Sequence, residues 1–196
     1  MQPSSPTEAS SRRERRRTPR PLSPERLEEL ALAYAARFAT SAARLEAYLA
    51  RKLRERGWAG AEGADRELVA ALVVRFTAAG YVDDESYART RAGGLSRRGY
   101  GARRITQTLG QAGISEGLLA EVLPDAVAAR QAALTMARKR RFGPWGAKPL
   151  DDPLVDRLLA EKQIAALLRA GHPFESARAL VYARSIAEAE EWAQEV

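Results

Sequence analysis

Cysteine is absent from the 196 residues, which excludes disulfides, zinc–thiolate centres and thiol nucleophiles. Histidine occurs once, at His172, between Gly171 and Pro173. No serine–histidine–acid set and no metal-ligand spacing surrounds it, so it reads as a loop histidine rather than a general base. There is no GxxxxGK[ST] phosphate loop, and no GxGxxG follows a strand. An enzyme is therefore the least supported class, and the sequence points to no cofactor, metal or small-molecule substrate. No apolar run approaches the roughly 20 residues of a membrane span. The N-terminal stretch lacks the apolar centre of a secretory signal. Together with the missing cysteines, this fits a cytoplasmic protein.

What is present is positive charge, unevenly placed. The formal net charge is +7. The first 20 residues hold six arginines against two glutamates, leaving 26 basic against 23 acidic side chains in the other 176. The chain beyond residue 20 is nearly neutral overall, so any attraction for a polyanion acts through local patches. Prolines at Pro3, Pro6, Pro19, Pro21 and Pro24, among serines and arginines, mark residues 1–22 as a disordered arm.

From Ser23-Pro24 onward the periodicity is helical. Leu27, Leu30, Tyr34 and Phe38 share a face. After Thr40-Ser41, so do Leu45, Tyr48, Leu49 and Leu53, up to a stop at Gly57. Asp65 is placed to cap a third helix facing inward through Leu68, Leu72, Val73 and Phe76, with Val69 flanking. Its ALVVRF run has the composition of a buried strand, but the helical spacing continues on both sides. Asp83 opens a fourth helix, and Gly101 precedes a fifth with Ile105 and Leu109 inside. Ser115 caps a sixth. A seventh runs through Val127 and Leu134 into Arg138–Arg141. Residues 142–153 form a loop. The eighth helix carries Val155 through Leu168, and a ninth after Pro173 is expected to continue toward the polar terminus.

An internal period underlies this series. KLRERGW, TLGQAGI and LLRAGHPF align Leu53, Leu109 and Leu167, and likewise Gly57, Gly113 and Gly171, at spacings of 56 and 58 residues. The expected fold is all-α: an elongated array of about three tandem three-helix units, over residues 23–80, 81–124 and 125–196. A unit this small barely encloses a core alone, so neighbours should stack.

Two basic clusters are the candidate binding residues. Arg97, Arg98, Arg103 and Arg104 flank a Gly99-Tyr100-Gly101 turn. Two of these arginines begin a helix, where the dipole disfavours them unless an anion offsets the cost. Arg138, Lys139, Arg140 and Arg141 form the second cluster at a helix end. Tyr100 is the aromatic best placed to meet a partner, whereas Tyr87 should pack inward. Asp83, Asp84 and Glu85 read as a helix cap, not a metal site.

The segment from Gly80 to Ile114 contains G-Y-V-D-D-x-x-Y-A and R-R-G-Y-G-x-R-R-I-x-x-x-L-x-x-x-G-I. This pattern resembles the RecX family of bacterial recombination regulators, and the likeness extends over about Leu27 to Ala183. The sequence departs from the family pattern at Gly93-Gly94, at Leu95 where a basic residue is usual, and at the GHPF ending. The resemblance implies an elongated helical array that is not an enzyme. It implies binding along the groove of RecA filaments, with restraint of strand exchange and ATP hydrolysis, in recombination, repair and the SOS response. Single- or double-stranded DNA is a further partner it allows. The rival reading is a helix-turn-helix-like DNA-binding protein acting independently of RecA.

Overall fold

The structure, a computed structural model, describes residues 20–146 and 153–195. Residues 1–19 of the expected arm and residues 147–152 of the expected loop lie outside the described residues. Leu22, at the arm's end, departs from the expectation. It is fully buried in the first core and forms an isolated parallel bridge with Trp58. Its N–H donates to the Gly57 carbonyl at 2.9 Å, and its carbonyl accepts from Ala59 at 3.0 Å. A leucine at the chain's entry into a small unit gains more by filling that core than by staying in water.

The described residues form ten α-helices: α1 Pro24–Arg37, α2 Ala42–Arg56, α3 Ala64–Ala78, α4 Asp84–Arg97, α5 Ala102–Gly110, α6 Glu116–Val122, α7 Ala126–Arg140, α8 Pro153–Arg169, α9 Phe174–Val181 and α10 Ile186–Trp192. A short 3-10 turn, Gly143–Trp145, follows α7. Small polar residues set most of the starts. Ser23, Ser41, Asp83, Ser115, Asp125 and Ser185 each accept a hydrogen bond from the N–H three residues on. Helices α3, α5 and α9 have no such side-chain cap, and α3 departs from the expected start. Helix α3 opens after Gly63, which is left-handed, so Asp65 sits in the first turn instead of capping. Its buried face is Val69, Leu72 and Phe76, with Leu68 and Val73 half-buried, a modest rotation from the expected stripe.

The helix expected after Pro173 divides in two. Tyr182 ends α9, and Ser185 caps α10, which folds back onto α7 and α9. The Ser185-x-x-Glu188 spacing is a capping signature, and Glu188 accepts from the Arg184 backbone and guanidinium. The break places Ala189 and Ala193 against Ala133 and Ala137 of α7. Helix α8 also divides its labour. Leu167 is fully buried and Ile164 packs beside it, whereas Leu158 and Leu159 are nearly half exposed.

The buried side chains fall into successive clusters along the array. One spans Leu22 to Val82 and joins α1, α2 and α3; a second spans Tyr87 to Leu119 and joins α4, α5 and α6. Two more lie among α7 to α10. Helix α4 packs on α7, which links the second group to the third. The link between the first and second is polar. Asp84 accepts from the Ala42 N–H at 2.8 Å, Ser41 Oγ donates to the Ala112 carbonyl at 2.5 Å, and Arg44 donates to the Tyr87 hydroxyl at 2.7 Å. Asp83 caps its own helix and Glu85 pairs with Arg89. The three acidic residues thus have three separate partners, and among the described residues no cluster suited to a metal ion is found.

Helix α4 runs straight through Gly93-Gly94. A methyl group built on Gly94 meets nothing within 4 Å. Gly94→Ala is therefore expected to stabilise the fold by about 0.8–1 kcal/mol, through the lower entropy cost of a helical alanine. Thermal denaturation followed by circular dichroism should show a rise of about 2–4 °C.

Candidate functional site

The basic glycine turn is held from two sides. Helix α4 ends at Arg97, and Gly99 follows at φ +88°, packed so closely on α7 that a Cβ would lie 2.9 Å from the Met136 nitrogen. On the other side, Gly101 abuts Gly171 and His172. The Gly101 N–H donates to the Ala170 carbonyl at 2.9 Å, and the Arg103 N–H donates to the Gly171 carbonyl at 3.3 Å. These carbonyls close α8, so the negative end of α8 faces the positive end of α5. The free N–H groups of a helix start are a ready anion site. Here protein carbonyls occupy two of them. The anion expected to offset Arg103 and Arg104 at the α5 start is, in part, the end of a neighbouring helix.

His172 completes the clamp. It is 1 % exposed, and its Nε2 lies 2.9 Å from the Gly99 carbonyl. A carbonyl oxygen only accepts, so Nε2 carries the proton and donates. Burial pushes the imidazole pKa below its ordinary 6.5, and the Gly99 carbonyl only partly counters this. In the unfolded chain the ring gains a proton near pH 6.5; in the folded chain it does so only at lower pH. Below 6.5 the unfolded state binds more protons, so the histidine's contribution is intact above that value and is lost as pH falls through it. The fall in urea midpoint between pH 7.5 and 5.5 is expected to be smaller in His172→Gln than in the wild type. Equal falls in the two proteins would contradict the assignment.

With the backbone pinned, only side chains project. Arg97, Arg98, Arg103, Arg104, Arg138, Lys139, Arg140 and Arg141 are all exposed, and Tyr100 is half-buried. They do not form one patch. Arg138 turns away, pairing with Glu190 on α10 and lying over the Trp145 ring at 5.9 Å. Lys139 reaches the Arg97 carbonyl at 3.5 Å, which brings the two clusters together at the α4–α7 contact. Arg98 lies 5.8 Å from the Tyr100 ring centroid and donates to the Gly94 carbonyl. Arg141 ends α7 at φ 55°. Arg103 has no side-chain partner among the described residues.

Tyr100, Arg104 and Arg140 converge. With Met136, Phe142 and Arg169 they line a cavity of about 270 Å³ where α5, α7 and α8 meet. Arg104 donates to Gln107 at 3.0 Å, and no carboxylate pairs with Arg104, Arg140 or Arg169 among the described residues. Three guanidinium groups around a tyrosine, without a neutralising partner, suit a phosphate or carboxylate. Arg169 is not marked by charge clustering in the sequence, because it stands alone on the last turn of α8, far from either cluster in the chain. Its available signal was the repeat: it directly precedes Ala170-Gly171, the turn that receives the α5 start. Tyr87 is buried, as expected, and its hydroxyl serves the contact with Arg44.

A family model for the second three-helix domain of RecX matches residues 83–123, the span of α4 to α6. The chain is 32 % identical over 168 residues to the regulatory protein RecX of Myxococcus xanthus (strain DK1622), covering 83 % of this chain and 88 % of that protein. The chain belongs to the RecX family. Regulatory protein RecX of Mycobacterium sp. (strain KMS) is 32 % identical over 76 % of this chain and 78 % of its own. That of Halorhodospira halophila is 32 % identical over 67 % and 73 %. The family match places the Arg97–Arg104 turn inside its second three-helix domain. The relatives are named as regulatory proteins, and no described helix is long and apolar enough to cross a membrane.

Proposed function

We propose that this protein binds RecA nucleoprotein filaments and restrains strand exchange and ATP hydrolysis, as a cytoplasmic, non-enzymatic regulator in recombination, repair and the SOS response. The RecX membership supports the regulatory role. The observation that carries the contact surface is the convergence of Arg104, Arg140 and Arg169 around Tyr100 at the α5–α7–α8 junction. The units over residues 23–80, 81–124 and 125–196 act as a stacked array, so that one molecule bridges successive subunits of a filament. Arg97, Arg98, Arg103, Lys139 and Arg141 extend the basic surface around the cavity. Arg138, paired with Glu190, contributes little.

Co-sedimentation tests this reading. The protein is expected to pellet with RecA assembled on single-stranded DNA, and not with RecA alone at the same concentration. Failure to pellet with assembled filaments at saturating protein would contradict it. A DNA-binding protein acting independently of RecA would instead bind naked duplex tightly, with a steep salt dependence, and leave filaments unaltered.

A further inference from the structure

A larger basic groove lies at the other junction, between α2 of the first unit and α4 and α5 of the second. It encloses about 640 Å³, and its wall carries Arg44, Arg51, Arg54 and Arg91 with Tyr34 and Tyr48. None of these arginines stands in the two basic clusters of the sequence. One carboxylate, Glu55, approaches Arg51 at 3.7 Å, and it is already engaged by Lys52 at 2.7 Å. Arg54 and Arg91 have no carboxylate partner among the described residues. Arg44 is held in place by the Tyr87 hydroxyl at 2.7 Å, a neutral acceptor that leaves its charge uncompensated. Tyr34 and Tyr48 stack on each other at 4.1 Å and stiffen the wall.

The groove repeats the plan of the smaller cavity one unit further on. Arg44 is the third residue after its N-cap Ser41, and Arg104 is the third after its N-cap Gly101. Thr108, Gln111 and Ala112 line the first groove; Ala166, Arg169 and Ala170, each 58 positions later, line the second. Each junction between units therefore builds a concave, arginine-walled socket from the start of one unit's middle helix and the end of the next unit's.

We propose that the groove bounded by Arg44, Arg51, Arg54 and Arg91 binds the phosphodiester backbone of a nucleic-acid strand. Four guanidinium groups against one carboxylate, in a concave site, focus a positive field. A planar guanidinium matches a phosphate oxygen pair. The lining offers phenol, hydroxyl, amide and guanidinium groups, and its only aliphatic groups are the methyls of Ala47, Ala112 and Thr108. It lacks the apolar pocket in which a peptide anchors its side chains. A phosphodiester chain supplies evenly spaced charges without needing such a pocket, and Thr108 and Gln111 add neutral polar contacts along it. The site goes beyond the filament reading, because it requires no RecA.

The test uses the full chain and a fluorescein-labelled oligothymidylate of about 20 nucleotides at low salt, with anisotropy as the readout and no RecA present. Arg54→Glu with Arg91→Glu is expected to weaken binding at least about tenfold. It should also flatten the slope of log affinity against log salt by about 1.4, as two lost single-strand phosphate contacts require. Both side chains are exposed and unpaired, so the melting curve should not change; Arg54→Gln with Arg91→Gln serves where the reversal perturbs folding. Wild-type affinity and slope in a folded double variant would overturn the proposal. Displacement of the oligonucleotide by polyglutamate as readily as by unlabelled strand, at equal charge, would also overturn it and assign the groove to an acidic polypeptide.

Discussion

Gly171→Ala is expected to uncouple the third unit from the second. Gly171 sits at φ +95°, and a Cβ there would lie 2.4 Å from the Arg104 backbone nitrogen. The left-handed conformation alone costs an alanine roughly 1–2 kcal/mol. Overpacking a close contact adds about 1–3 kcal/mol. Backbone cannot swing aside as a flexible side chain can, so relief requires α5 to withdraw from the end of α8. That withdrawal also breaks the hydrogen bonds from Gly101 to Ala170 and from Arg103 to Gly171, and it opens the His172 clamp on Gly99. The expected loss is therefore about 3 kcal/mol, concentrated at one junction. Because the buried clusters are separate, thermal unfolding should turn from one transition into two, with the unit containing α7 to α10 melting first. A single transition at the wild-type temperature would show that the junction is not tightly packed.

Arg104→Glu combined with Arg140→Glu should weaken filament binding by about 10–100-fold. Each guanidinium lines the same cavity, and each is exposed without a carboxylate partner among the described residues. An exposed charge contact contributes about 0.2–1 kcal/mol for each of the two residues. Reversal adds repulsion to the loss. The same pair should leave the melting temperature close to wild type, since neither side chain supports the core. The contrast is Arg138→Glu, which removes the pairing with Glu190 and is expected to leave filament affinity within about threefold of wild type, as an exposed pair contributes little. Equal effects from Arg138 and from the Arg104–Arg140 pair would mean that overall charge, not the cavity, governs binding.

Helix order and the repeat were legible because local signals agreed. Serine and aspartate caps stood before periodic leucines, and Gly57, Gly113 and Gly171 ended equivalent helices. The α9–α10 break is also written in Ser185 and Glu188, but a short polar helix gives a weak apolar stripe, so periodicity alone carries the ninth helix through it. The arginine clusters were visible as strings, yet neighbours in sequence point in different directions on a helix. So Arg138 and Arg140 part company, while Arg169, 29 positions after Arg140, joins it. The glycine turn hides its role for a different reason. Its glycines admit the backbone of another unit, and a close approach between distant segments leaves no mark in a single local window. The same holds for Arg44, Arg54 and Arg91, which meet only when the first two units are packed.

The proposed restraint of RecA acts through an arginine-bearing surface on a stacked helical array. The most direct measurement is RecA-catalysed ATP hydrolysis on single-stranded DNA with the wild-type protein titrated in, beside the Arg104→Glu, Arg140→Glu variant. A rate that falls with wild-type protein, and falls only at concentrations about 10–100-fold higher with the variant, is the predicted result. A hydrolysis rate unmoved at saturating wild-type protein, or a variant that inhibits equally well, would contradict the account.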